Sequence, residues 1–295
     1  MAATVRQVNG PNGRFYEVDG ELFPSVTHIL TAINKPALVP WAARQERQAV
    51  SEAAAALYGE LAAAGSRYPA SWFASALAAK LGTVKAHQRT LEREGDIGGQ
   101  AHRAIEWLLR TALGAAAGPK PAISAPALIA VQAFKAWALR VSLKPVLVER
   151  IVYSKKHRYA GTLDLLARVE GRLTMIDFKT GKAVYDEAHL QAAAYAAALE
   201  EMGYREPAAS LIVRLPKVAG DPPVEVVPVP PRAALLPVFL ATRQLWEWTY
   251  ANDQAFKART RKRPAATAAP DLEDDRGPLP TVREIPIPFA ARAAR

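Results

Sequence analysis

The chain of 295 residues carries 38 Lys and Arg against 28 Asp and Glu, a net charge of +10 and a pI near 9.8, with half its residues hydrophobic and 22% charged. Such a balance describes a globular protein with one large core or two small ones, whose basic excess suits a polyanionic partner or an acidic membrane surface. The sequence contains no cysteine, which excludes disulfides, thiolate zinc sites and cysteine-held iron–sulfur clusters. It has no apolar run of the roughly 18 residues that a membrane span needs and no export signal, so a cytoplasmic location without membrane attachment is expected.

In chain order, Phe15–Val18, Asp19-Gly20 and Glu21–Phe23 predict a hairpin with a two-residue turn. Ser25 suits the N-cap of a helix running to about Ile33, and Pro36 and Pro40 then break the chain. An Ala-rich helix is expected over 41–64, ending at Gly65, and a shorter one over 72–81. Gly98–Glu106 opens a helix to about Leu113, on which His102 and Glu106 share a face. Gly114–Pro126 reads as a loop and 128–139 as a helix carrying Phe134 and Trp137. Val146–Tyr153 is the first core strand; its Glu149 either faces the site or, the preferred reading, makes a cross-strand ion pair.

The centre of the chain is Gly161–Tyr195. Leu163, Leu165, Ala167 and Val169 alternate with Thr162, Asp164, Leu166 and Arg168 at the period of a strand, and Glu170-Gly171-Arg172 supplies a turn. A mostly apolar strand, 173–179, follows; two residues apart, Asp177 and Lys179 leave the same face of it. From Asp186 the pattern is helical, with Gln191 and Tyr195 on one face. Buried carboxylates need a partner or a cation, and hard oxygen ligands suit Mg²⁺ or Mn²⁺. A neighbouring lysine can orient water or stabilise a phosphate oxygen as charge develops. Spacing alone equally allows an Asp–Lys ion pair at a strand end beside an unrelated Asp.

Strands follow at 209–215 and 224–229, flanking a turn with Arg214 and Lys217, and then a long helix over 233–256 with Trp246, Trp248 and Tyr250. Lys257, Arg259, Arg261, Lys262 and Arg263 form a basic run, suited to phosphate contact or to a solvated helix end. An Ala/Pro-rich tail with an acidic patch, expected to be disordered, closes the chain. The order helix–strand–strand–strand–helix–strand is an αβββαβ core.

The strings G-T-x-D at Gly161–Asp164, I-D-F-K-T-G-K at Ile176–Lys182 and Q-x-x-x-Y at Gln191–Tyr195 resemble the PD-(D/E)XK nuclease superfamily, specifically its RecB-like exonuclease branch, over roughly residues 98 to 215. That resemblance implies that Asp164 and Asp177 bind metal, that Lys179 is catalytic and that Gln191 and Tyr195 line the site. G-x-x-x-H-x-x-x-E at Gly98–Glu106 resembles the branch's first motif, which implies that His102 is a metal ligand; Glu106 reads as a supporting or structural group, and Glu149 is a second candidate supporting group. Residues 23–41, FPSVTHIL…KP…W, resemble the N-terminal segment of phage-type members.

The implied fold is α/β and restriction-endonuclease-like: an N-terminal hairpin and helical region (1–97), a nuclease core (98–256) with its C-terminal helix, and a basic run with tail (257–295). The implied activity is that of a Mg²⁺- or Mn²⁺-dependent DNA exonuclease in repair or recombination, encoded by a phage or bacterium. DNA would be held by Lys182, Lys257, Arg259, Arg261, Lys262 and Arg263, with a helicase or a single-strand-annealing recombinase as partner. The alternative is a non-catalytic or accessory DNA-binding subunit of a helicase–nuclease or recombination complex.

Overall fold

The structure, a computed structural model, describes residues 4–10, 13–64, 69–218 and 220–261. It divides into two units, Met1–Tyr250 and Ala251–Arg295. Lys262, Arg263 and the tail lie outside the described residues, as do the side chains of Lys257, Arg259 and Arg261.

A three-stranded antiparallel sheet opens the first unit: β1 (Val5–Gly10), β2 (Gly13–Val18) and β3 (Glu21–Pro24). Asp19 and Gly20 both have positive φ, 50° and 85°, as the expected hairpin turn requires. β1 carried no strand signal because only Val5 and Val8 of its six residues turn inward.

Ser25 caps α1 (Val26–Ile29), its hydroxyl accepting from the His28 N–H at 3.0 Å. α1 is only four residues long and passes into a 3₁₀ turn at Leu30–Ala32, so the expected continuous helix is not formed. α2 (Leu38–Ala64) begins before Pro40, which sits in its first turn, where the missing N–H has no intrahelical partner to lose. α3 (Ala70–Leu81) ends at Gly82 with φ 70°. α4 (Ala86–Ala112) starts well before Gly98, so the glycines expected to open a helix lie inside one. Gly98 is closely packed there. A Cβ at Gly98 would fall 2.8 Å from Thr180 Oγ1, and one at Gly99 would fall 3.2 Å from Arg103 Nη1.

After α5 (Ala125–Arg140) comes a five-stranded sheet, ordered β4 (Lys144–Ser154), β5 (Tyr159–Val169), β6 (Arg172–Lys179), β7 (Ala209–Arg214), β8 (Glu225–Pro228). All neighbours are antiparallel except β6 and β7, which α6 (Asp186–Glu201) joins as a crossover. α4 and α5 bury Ile105, Phe134 and Trp137 with Leu165, Ile176 and Phe178 on one side of the sheet. On the other, α6 and the first part of α7 (Arg232–Arg261) pack with Leu163, Leu166 and Met175. Helices on both sides of a mixed sheet make this the restriction-endonuclease-like α/β architecture.

α6 is buried almost all round, and its alanines at 188, 192, 193, 194, 196 and 198 allow close approach to the sheet. Trp246 of α7 joins this core, whereas Trp248 is 67% exposed. Among the described residues no helix is long and apolar enough to cross a membrane.

Candidate metal centre and active site

The site forms where the central sheet is irregular. β5 and β6 pair from Val169–Arg172 only as far as Leu165–Ile176, and beyond that point the Asp164 side chain replaces a ladder bond. Its Oδ2 accepts the Phe178 N–H at 2.7 Å. On the other edge of β5 the register pairs Val148 with Leu165 and Arg150 with Leu163, skipping Glu149 and Asp164. Glu149 stands there at φ 47°, a strained backbone position for a residue with a side chain. Strict alternation on β5 fails at the same place: Leu163 and Leu166 pack towards α6, Leu165 and Ala167 towards α4 and α5.

This distortion redirects Glu149. Among the described residues Glu149 makes no cross-strand ion pair; its carboxylate lies with His102 of α4 and Asp164 of β5, one ligand atom from each falling within 4.8 Å of the others. His102 Nδ1 is 3.8 Å from Asp164 Oδ2. Burial, with the nearby Asp164 and Glu106 carboxylates, lifts the Glu149 carboxyl to about 8. Glu106 accepts from Arg110 Nε at 2.7 Å, one turn along α4.

Asp177 and Lys179 leave β6 towards α6, as their spacing requires. Asp177 is 1% exposed, and Lys179 Nζ lies 2.5 Å from its Oδ2. From α6, Gln191 donates through Nε2 to Asp177 Oδ1 at 2.8 Å and to the Tyr195 hydroxyl at 3.3 Å, and its Oε1 accepts from Lys179 at 3.1 Å. Burial lifts the Asp177 carboxyl to about 6 against the opposing pull of the Lys179 ammonium. Burial also works against the charge on Lys179, but Asp177 and Asp164 together outweigh it and raise its pKa. The Tyr195 hydroxyl is pushed well up by burial and then by the same two carboxylates.

The donor set suits a divalent cation. It offers hard carboxylate oxygens and one imidazole nitrogen. Asp177 Oδ2 is buried against the Lys179 ammonium and has no further partner among the described residues, so a lone pair remains on it for a cation. A cavity of about 360 Å³ opens over these groups, lined among others by Arg14, Arg103, Thr162 and Tyr195. A second, of about 610 Å³, shares Thr27, Lys179 and Gln191 with it and extends along Leu30, Asn34 and Leu38.

The structure therefore brings His102, Glu106, Asp164, Lys179, Gln191 and Tyr195 to one cavity, with Asp177 behind it. Lys182 is exposed between β6 and α6. Two lining residues, Arg14 and Arg103, were not singled out from the sequence. Nothing near Arg14 marks it, and Arg103 is distinguished only by following His102.

Comparison with curated proteins finds no match. A family model described as the PD-(D/E)XK nuclease superfamily matches residues 125–274, about half of the chain. The matched segment carries Glu149, Asp164, Asp177, Lys179, Gln191 and Tyr195, while His102 precedes it. By this match, on a sheet and crossover helix that hold those side chains together, the chain belongs to the PD-(D/E)XK nuclease superfamily.

Proposed function

We propose that the protein is a Mg²⁺- or Mn²⁺-dependent deoxyribonuclease that cleaves DNA from its ends. The observation that carries this reading is the meeting, in one cavity, of the His102–Glu149–Asp164 set with Lys179, whose partner Asp177 lies directly behind. His102, Glu149 and Asp164 would hold the cation, with Asp177 Oδ2 offering a further oxygen. A divalent ion in such a site supplies Lewis acidity and a more acidic bound water.

The remaining work falls to the side chains. Lys179, kept charged by its carboxylate neighbours, positions the attacking water and offsets charge building on the phosphate oxygens. Gln191 fixes both Asp177 and Lys179 through its amide, and so orients the pair. The Phe178 N–H orients Asp164 from behind. Tyr195 keeps its proton and can donate only a neutral hydrogen bond to the DNA backbone. The preference for ends rests on the resemblance of the D-F-K-T-G-K run to RecB-like exonucleases. The basic side chains of 257–263 would add phosphate contacts.

The test is incubation with end-labelled linear and covalently closed circular DNA, single- and double-stranded, with Mg²⁺, Mn²⁺ or EDTA. Metal-dependent loss of linear DNA alone supports the proposal. Cleavage of closed circles would make the protein an endonuclease, and binding without cleavage under every metal would make it a non-catalytic DNA-binding subunit.

A further inference from the structure

Two guanidinium groups line the same cavity as the carboxylates and have no role in the scheme above. Arg14 comes from β2 of the small N-terminal sheet, and Arg103 from α4, next to His102. Both residues are exposed, and neither guanidinium makes a hydrogen bond or an ion pair with a described residue, although the Arg14 charge reaches the Glu149 carboxyl. By contrast, Arg89 and Arg110 on the same helix α4 are tied down, Arg89 by the carbonyls of Leu81 and Val84 and Arg110 by Glu106.

Arg103 is also seated. Its Nη1 occupies the space beside Gly99 that a Cβ would narrow to 3.2 Å. An anionic substrate entering a cavity that already holds Glu106, Glu149 and Asp164 meets repulsion unless cationic groups face it. An Arg fork matches two phosphate oxygens at once, and two forks from separate elements fix direction as well as charge.

We infer that Arg14 and Arg103 form a phosphate clamp, gripping the nucleic-acid backbone at the mouth of the cavity and setting which phosphodiester lies against Asp177 and Lys179. This rests on the nuclease reading of the cavity. It makes the N-terminal sheet part of the substrate site rather than a cover for the core.

The test uses Arg14→Ala, Arg103→Ala, the two Lys substitutions and the double Ala variant. Binding of a short fluorescein-labelled oligonucleotide is measured by anisotropy in a Lys179→Met background, beside thermal melts and metal half-saturation. Each Ala variant should weaken binding by roughly tenfold, as loss of a charged hydrogen bond does, with the melting temperature unchanged. The Lys variants should recover only part of the loss. In cleavage, KM should rise more than kcat falls.

Oligonucleotide affinity within twofold of the parent overturns the clamp, as does a loss that appears only with a lowered melting temperature. Tighter metal half-saturation at unchanged oligonucleotide affinity also overturns it, showing that the arginines merely offset the carboxylates. If the otherwise unsubstituted protein cleaves under no metal while binding still depends on both arginines, the clamp stands and the nuclease reading falls.

Discussion

The Tyr195 ring occupies the space that a side chain at position 161 would need: a Cβ built on Gly161 would lie 2.4 Å from Cε1 of that ring. The first residue of G-T-x-D is therefore glycine because β5 passes directly beneath the α6 tyrosine that Gln191 contacts. Gly161→Ala should overpack the site and cost about 1–3 kcal/mol, displacing Tyr195 and lowering cleavage. Denaturant unfolding and a DNA cleavage assay check this; a variant with unaltered stability and activity would show that the sheet relaxes around the added carbon.

Lys179→Ala should abolish cleavage and leave DNA binding largely intact, since one lysine is a small part of a surface with a net charge of +10. It also leaves Asp177 buried without its cation, which raises the pKa of that carboxyl further above the value of about 6 it has beside Lys179. A carboxyl raised by folding stabilises fully below its unfolded pKa and loses that contribution as pH rises through its folded pKa. The melting temperature of the variant should consequently fall more steeply than that of the parent between about pH 5 and 8. Parallel melts across that range decide it, and a constant difference would mean that Asp177 does not sense Lys179.

Glu149 gives a second pH dependence. Its carboxyl is raised from near 4.5 to about 8, so metal-free protein should lose stability as pH rises across that interval. Glu149→Gln should flatten this loss and raise the melting temperature at alkaline pH, while weakening half-saturation by Mg²⁺ and Mn²⁺. Melts with and without metal measure both effects. An unchanged metal half-saturation would remove Glu149 from the ligand set.

His102→Ala should weaken metal binding and cut activity strongly, with partial rescue at high Mn²⁺, because imidazole nitrogen suits Mn²⁺ better than the harder Mg²⁺. Metal titrations run beside melts test this. A variant that melts lower but keeps the half-saturation of the parent for both ions would show that His102 only packs against Phe178, whose ring lies 6.4 Å away.

Deleting residues 257–295 should weaken DNA binding and flatten its salt dependence, since the five basic residues 257, 259, 261, 262 and 263 go with it. Binding titrations over a range of salt concentrations give the slope directly. An unchanged slope would assign the run to a solvated helix end.

Local rules carried the sequence a long way. The spacing of Asp177 and Lys179 put both on one face of a strand, that of Gln191 and Tyr195 put both on one turn of a helix, and Asp-Gly set the hairpin; each depends only on neighbours within an element. What the tertiary structure alone decided lies between elements. Glu149 reaches His102 and Asp164 because β4 skips a pairing beside β5, and Asp164 is held by the Phe178 N–H because β5 and β6 part at Leu165. Gly98 belongs to a helix interior because Thr180 packs where its side chain would be. Periodicity reports which way a side chain leaves its own element. Where the ladders break, and which side chains from α4, β4, β5, β6 and α6 then meet, depends on register and close packing across the sheet, which no stretch of sequence contains by itself.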